Sequence, residues 1–485
     1  RSKNLEMEFG ELKMYINGEL QSSVDNINKD IHSPLNGKKV ATLAWGNNKD
    51  SIKALESASD GFNLWSNLPV IERKTWIFKL REKILENEDL LRKAISYEMG
   101  KPYPATAEDI ESITNSLEYY ANIIDDYLKP KEILDKGNTH KHQLISKPVG
   151  VVVAYLAWNF PLLNAGFKLG PALASGCSII LKPSELSPIS LYILGNILKE
   201  INFPKGVVNI LCGEPKDIAT TLSRSTIPKL ITMIGSTETA KKVISDSSTS
   251  IKKYSMELGG NAPFIVFDDA ELENAVNIAA AIKFGNCGQI CVAANRFFIH
   301  EKIYDEFLEK LKEKAKNLKI GYKEDLNYDI GPLITDKSRK RIKNLIDKTV
   351  NCGAKIEFGG KILPIDGYWF EPTIITGIDA SMSIFHEEIF GPVASIIKFK
   401  SDKEVLKLAN NTNYGLASYL FTTDKKRITK FINELNFGEV QVNGIKYDIY
   451  LPHGGINESG VGHDCSELAL EDYLYKKRVS IAIDK

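Results

Sequence analysis

The chain has 485 residues, 43% of them hydrophobic and 26% charged, the composition of an ordinary soluble protein with roughly two to four domains. Lys+Arg and Asp+Glu both number 62, so the formal net charge is zero, which argues against a nucleic-acid partner. The longest apolar runs, such as Val149 to Trp158, are too short to span a bilayer, so no membrane partner is expected.

Residues 1–45 read as β-rich: Lys13-Met14-Tyr15-Ile16 is a short strand, and Asn17-Gly18 is a hairpin-turn signal. Residues 48–130 read as helical, with Trp76, Leu80, Ile84 and Leu85 forming one apolar stripe. From Pro148 the pattern becomes strand–helix alternation. Val151 to Leu156 is a buried strand, and Pro161 opens a helix that ends near Gly176. Cys177 to Leu181, Val207 to Leu211 and Leu230 to Ile234 are the next strands, each followed by a helix. Such alternation implies a parallel, doubly wound sheet of the nucleotide-binding kind.

After Glu257 the alternation restarts with the strand Phe264 to Phe267. A capping box from Asp268 and Glu271 is expected to open the next helix, striped by Leu272, Ala275, Val276 and Ala279. A Lys/Glu-rich helix follows near 302–317, and α/β alternation runs to about 440, giving a second α/β domain. Arg478 to Ile483 reads as a strand with no hairpin partner nearby in sequence. Such a strand pairs elsewhere, across a subunit being one option. The six cysteines at 177, 212, 287, 291, 352 and 465 show neither C-x2-C nor Cys/His zinc spacing, so no metal is expected. Their scatter suggests a reducing, cytoplasmic compartment.

Five stretches can carry chemistry. Cys291 stands in Gly288-Gln289-Ile290-Cys291-Val292, just past a helix and a glycine. It is either a nucleophile or a buried structural thiol, and sequence alone does not separate it from Cys287. Glu257 precedes Leu258-Gly259-Gly260-Asn261, where paired glycines allow close backbone approach; it is either a base or a solvated loop carboxylate. Trp158-Asn159-Phe160-Pro161 lies at the carboxyl end of a parallel strand, where open α/β sheets place ligands. Asn159 is either an oxyanion donor or a turn residue before proline. Lys182-Pro183-Ser184-Glu185 ends the next strand, where Lys and Glu suit ribose hydroxyls or a surface loop. Gly235-Ser236 opens a helix, where backbone N–H groups favour a phosphate. The G-x-G-x-x-G fingerprint is absent.

These stretches, in this order, resemble the aldehyde dehydrogenase superfamily. The match continues with Gly235-Ser236-Thr237-Glu238, Glu387-Glu388-Ile389-Phe390-Gly391-Pro392, Asn413-Tyr414-Gly415-Leu416 and Gly454-Gly455, along nearly the whole chain. The resemblance implies an α/β fold with a Rossmann-like cofactor domain (1–123 and 146–257) and a second α/β catalytic domain (258–440). A small β oligomerisation hairpin (124–145 with 466–485) would complete it and give a homodimer or homotetramer. It implies NAD or NADP as cofactor and a small aldehyde as substrate. Cys291 would attack the aldehyde carbon, with the oxyanion held by the Asn159 side chain and the Cys291 N–H. Glu257 would activate the hydrolytic water. Trp158, Lys182, Ser184, Glu185, Gly235, Ser236, Glu388 and Phe390 would hold the cofactor.

The nearest branch is that of succinate-semialdehyde and lactaldehyde dehydrogenases, on Met256 to Ala270 and Cys291-Val292-Ala293-Ala294-Asn295-Arg296. The succinate-semialdehyde enzymes tend to carry arginines where this chain has Phe167 and Gly285. Neither residue replaces a guanidinium grip on a carboxylate. Phe167 and Gly285 therefore predict a neutral substrate pocket. Asn443 to Tyr450, with Lys446, Asp448 and two tyrosines, predicts a substrate-facing loop suited to a hydroxyaldehyde such as glyceraldehyde or lactaldehyde. Succinate semialdehyde is the alternative substrate, and a non-catalytic protein on the same fold the alternative class. Ala293 replaces that branch's second loop cysteine, so its redox switch is not expected, and no pairing of Cys287 with Cys291 is expected either. Glu257 disfavours transfer of the acyl group to coenzyme A. A papain-like hydrolase needs a histidine base, and none of the seven histidines has a recognisable hydrolase setting. Glu185 favours NAD, while Lys182 and Ser184 suit NADP if Glu185 turns away. Cys287 and His463 receive no role from the sequence.

Overall fold

The computed structural model describes residues 8–484, whose strands gather into four sheets. Five parallel strands make the centre of the first: Lys253–Glu257, Pro228–Ile234, Val151–Tyr155, Ser178–Lys182 and Val208–Ile210, in that spatial order. Val151–Tyr155 and Ser178–Lys182 are buried along their whole length, which is why they read as unbroken apolar and β-branched runs. The strand order departs in opposite directions from Val151–Tyr155, first through 178–182 and later through 228–234. That reversal opens a crevice at the carboxyl ends of the strands, the ligand position of a doubly wound sheet.

Antiparallel additions close both edges. Met14–Ile16 pairs with Val208–Ile210 and turns through Asn17 and Gly18 into Glu19–Gln21. Both turn residues have positive φ, 54° and 75°, as a type I′ hairpin requires. On the other edge Gly460–Val461 pairs with Lys253–Glu257, so the chain returns to the first sheet after completing the second.

The second sheet has seven strands, with Ala294–His300 at its centre and Ala262–Val266 between that strand and Ala417–Phe421. Only its first edge pair, Lys355–Phe358 with Thr373–Thr376, is antiparallel. A separate hydrophobic core surrounds each of these two large sheets. The expected Asp268–Glu271 capping box does not form. Glu271 is itself the cap of Leu272–Phe284 and accepts from the Asn274 N–H.

The C-terminal strand begins earlier than expected and finds its partner within its own chain. Leu474–Ala482 runs antiparallel to the whole of His140–Pro148, whose other edge carries Lys131–Ile133. Two helices matter for the site. Ala107–Tyr127 lies along Pro161–Ser175, and the second packs on the Ser178–Lys182 strand. Among the described residues no helix is long and apolar enough to cross a membrane.

Candidate active site

Strand ends of the first sheet build one side of the site. Val151–Tyr155 delivers Trp158 and Asn159 just before Pro161 starts its helix at the first position, where a missing N–H costs nothing. Ser178–Lys182 delivers Lys182, whose Nζ lies 3.1 Å from Glu185 Oε2. Pro228–Ile234 delivers Gly235 and Ser236, and Ser236 caps the Thr237–Asp246 helix by accepting the Thr239 N–H at 3.2 Å. Glu257 is the last residue of its strand. Glu388 and Phe390 arrive from the second sheet's side, with Phe390 edge-on to Trp158 at 5.6 Å between ring centroids. All eight expected cofactor residues line one cleft of about 520 Å³.

Cys291 is held by an unusual piece of backbone. Asn286 and Cys287 take φ of 51° and 57°, a left-handed path that costs about 1 kcal/mol or more per non-glycine residue. Gln289 pins the loop: its Oε1 accepts the Ile334 N–H at 3.0 Å, and its Nε2 donates to Asn286 O and Pro332 O. Two glycines let the loop sit where it does. A Cβ on Gly288 would stand 2.0 Å from Gly391 O, and one on Gly260 would stand 2.6 Å from Cys291 O. The second glycine of Glu257-Leu258-Gly259-Gly260 thus makes room for the Cys291 carbonyl, bringing two distant motifs together.

Cys291 Sγ lies 3.0 Å from Glu257 Oε1. Asn159 is buried beside them, and its Nδ2 donates to Gln289 O at 3.1 Å. Asn164 Nδ2 donates to Asn159 Oδ1 at 3.3 Å and so fixes which way the amide faces. Cys287 is fully buried in the core of the second sheet. It remains a free thiol, as do the other five cysteines.

Sequence reasoning missed His453. It stands one residue before the Gly454-Gly455 match, and that position was the only available signal. Its Nε2 hydrogen-bonds Glu257 Oε1, and its Nδ1 lies 2.6 Å from Glu439 Oε2. Tyr447 donates its hydroxyl to Glu439 Oε1 at 3.1 Å, and the rings of Tyr447 and Phe167 flank the imidazole. One histidine does therefore stand in a hydrolase-like setting, beside the thiol and backed by a carboxylate.

Charge follows from this arrangement. Burial opposes a charge on His453, but Glu257 and Glu439 on its two nitrogens hold it protonated well above the usual range. Burial would raise Glu257; the imidazolium and the thiol reverse this and hold its carboxyl well below the usual range. Burial, then the Glu257 charge, pushes the Cys291 thiol up, so at rest the sulfur carries its proton. Behind Glu257 a buried pair, Lys168 Nζ to Asp464 Oδ1 at 2.7 Å, joins the 161–175 helix to the C-terminal segment.

A second cavity of about 480 Å³ meets this cleft at Cys291, Glu257, Asn159 and Ile234. The Ala107–Tyr127 helix contributes Glu108, Glu111, Ser112 and Asn115 to its wall, and the next helix contributes Leu163, Asn164 and Phe167. Tyr447, Asp448 and Ile449 come from the expected loop, but Lys446 and Tyr450 do not reach the cavity. Gly285 is a correction. It caps the 272–284 helix with open space around it and does not line the cavity. His463 is exposed and lies outside both cavities.

The family model described as "Aldehyde dehydrogenase family" matches residues 22–479. A mitochondrial succinate-semialdehyde dehydrogenase of Arabidopsis thaliana is 35% identical over 475 residues, covering 96% of this chain and 88% of the relative. A structure of 3,6-anhydro-L-galactose dehydrogenase in complex with NADP superposes with a TM-score of 0.94 at 32% identity, covering 97% of this chain and 100% of the other. Betaine aldehyde dehydrogenase of Staphylococcus aureus in complex with NAD+ gives a TM-score of 0.93 at 32% identity, covering 97% and 94%.

Proposed function

The chain belongs to the aldehyde dehydrogenase family, and from that premise we propose that it oxidises a small neutral hydroxyaldehyde, such as glyceraldehyde or lactaldehyde, to the carboxylic acid. The observation that carries the catalytic part is the 3.0 Å approach of Cys291 Sγ to Glu257 Oε1 where the two cavities meet. In this reading an aldehyde enters from the 480 Å³ cavity. Glu257, kept ionised by His453, takes the thiol proton as sulfur adds to the carbonyl carbon. The oxyanion that forms is held by Asn159 Nδ2 and the Cys291 N–H, in a site dry enough to make those donors effective. The nicotinamide cofactor, NAD or NADP, supplies the hydride acceptor when bound. Glu257 passes the thiol proton on to solvent and is ionised again when the resulting thioester is hydrolysed. The attacking water gives a proton to Glu257, the sulfur leaves as thiolate and takes that proton back as the thiol, and the carboxylic acid product ionises to solvent.

The cleft suits a dinucleotide by its donor set. Ser236 sits at a helix N-terminus fit for a phosphate, Lys182 and Glu185 would take ribose hydroxyls, and Glu388 and Phe390 line the same cleft as Cys291. The choice of a neutral aldehyde rests on charge. Among the described residues no lysine or arginine lines the aldehyde cavity, whereas Glu108, Glu111 and Asp448 do. An anionic tail would meet repulsion and lack the guanidinium clamp it requires. Relatives named for succinate semialdehyde keep that substrate as the alternative. The three carboxylates favour a further reading, an aldehyde with a cationic tail, in line with the relative named for betaine aldehyde.

The test is reduced-nicotinamide absorbance with NAD and NADP against glyceraldehyde, lactaldehyde, betaine aldehyde, succinate semialdehyde and an aliphatic series. Highest kcat/KM on a hydroxyaldehyde supports the proposal. Comparable turnover of succinate semialdehyde at micromolar KM overturns it. A homodimer or homotetramer, built through the 131–148 and 474–482 strands, belongs to the same proposal. So does a cytoplasmic location, supported by six free thiols.

A further inference from the structure

Aldehyde oxidation requires a nucleophile, a base and an oxyanion donor, and it gives no step to the Nδ1 face of His453. That face is nonetheless built: Glu439 Oε2 lies 2.6 Å from it, and Tyr447 steadies Glu439. The other face points at Glu257 and Cys291. Cys291 Sγ, His453 Nε2 and a Glu257 carboxylate oxygen all lie within 4.8 Å of one another.

We propose that these three atoms form a reversible zinc site, and that Zn2+ bound there switches aldehyde oxidation off. The ligand set is one thiolate, one imidazole nitrogen and one carboxylate oxygen, with the aldehyde cavity open on the remaining side for a water. That is the composition of an open tetrahedral zinc site. A thiolate selects Zn2+ over Mg2+ or Ca2+, which prefer oxygen ligands. Zinc bonds of about 2.0–2.3 Å place tetrahedral ligands roughly 3.3–3.6 Å apart. The present 3.0 Å between Sγ and Oε1 opens by a few tenths of an ångström, and His453 Nε2, now hydrogen-bonded to the same Oε1, draws back to admit the ion.

The independent support is Glu439. A histidine that ligates zinc donates its other N–H to a carboxylate, which fixes the ring and strengthens the ligand. His453 already has that partner in place, buried, with aromatic rings on either side. Binding exchanges protons for metal: Cys291 loses its thiol proton and His453 its Nε2 proton, both to solvent, while Nδ1–H stays on Glu439. With sulfur and the Glu257 carboxylate both coordinated, neither attack on the aldehyde nor hydrolysis of a thioester proceeds. The ligands at 291 and 453 lie 34 and 196 residues from Glu257, so no spacing motif announces the site.

The test uses the full chain freed of metal by chelation. Co2+ serves as a spectroscopic surrogate, and Zn2+ as protector of Cys291 against alkylation; neither readout needs an aldehyde, so both stand whatever the substrate. The expected result is one Co2+ per chain with a thiolate-to-cobalt charge-transfer band, displaced by Zn2+. Zn2+ should also block alkylation of Cys291 and, where turnover is followed, inhibit it reversibly by EDTA, with millimolar Mg2+ inert. His453→Phe, which keeps a ring between Phe167 and Tyr447, should lose the band. Glu439→Gln should weaken binding roughly 10–100-fold. Unchanged binding in His453→Phe, or binding abolished by Cys352→Ser at the exposed thiol, overturns the site.

Discussion

The cofactor cleft and the aldehyde cavity meet at one sulfur but are built differently. One long wall of the cleft is a product of the first sheet, and Glu388 and Phe390 face it from the second. Residues 158–159, 182–185, 235–236 and 257 each end or closely follow a parallel strand, so position in the chain dictates position in the cleft. The aldehyde cavity is walled by two packed helices, a loop near 447–453 and Cys465, contributed by distant parts of the chain. A cleft made by strand ends tolerates change in the helices around it. A cavity made by packed elements takes its chemistry from whichever side chains those elements present.

The strongest way to break the comparison is at the shared sulfur. Cys291→Ala should lower aldehyde oxidation by about 10^4-fold or more, because nothing else can carry the acyl group. Cofactor affinity, measured by calorimetry, should stay within about twofold, since the cleft's polar groups are untouched. A parallel loss of cofactor binding would mean that the two cavities are one unit. Glu257→Gln should come next. Steady-state turnover should fall about 10^2–10^4-fold. The first reduced nicotinamide per site, followed by stopped flow, should be slowed less, because hydrolysis depends on the base twice over, for water and for release. Equal loss in both phases would confine Glu257 to thiol activation.

This division also explains what could be read in the sequence. Buried strands such as Val151–Tyr155 announce themselves through β-branched runs, and the residues after them fall into the cleft as a matter of connectivity. The aldehyde cavity offered no such rule. Phe167 reaches it because its helix presents that face, but Gly285 does not, since the left-handed path through Asn286 and Cys287 turns the chain away just after it. His453 lies outside any helix or strand, and its contact with Glu257 spans 196 residues. The return of Gly460–Val461 to the first sheet and the pairing of 474–482 with 140–148 are likewise non-local, and two-residue or edge strands leave little periodicity to read.

A smaller effect sharpens the reading of charge. Phe167→Arg puts a guanidinium into a cavity whose only cation among the described residues is His453. A charge-assisted hydrogen bond to a carboxylate contributes about 1.5–3 kcal/mol. The ratio of kcat/KM for succinate semialdehyde over lactaldehyde should therefore rise roughly 10–100-fold. Gly285→Arg should change the ratio far less, because position 285 is off the cavity wall. The opposite ranking would place Gly285 back in the pocket.

The smallest expected effect belongs to the cleft alone. Burial pushes Glu388 up to about 7, against the Gly260 N–H at 2.6 Å and the charges of Arg341 and Lys283. Glu257 adds to the rise. In the free enzyme Glu388 is therefore neutral below that pH and ionised above it. Ribose hydroxyls donate more strongly to a carboxylate than to a carboxylic acid. Cofactor affinity should therefore fall as pH drops through about 7. If only the ionised form binds, Kd at pH 6 should be about tenfold weaker than on the alkaline plateau. Glu388→Gln, which cannot ionise, should flatten the profile between pH 6 and 8, and fluorescence titration of the apoenzyme reads both. A slope that survives in the variant would overturn the assignment to Glu388. In either case the pH dependence would follow the cleft and leave the ranking of aldehydes unchanged, as expected if cofactor and substrate are read by two separately built surfaces.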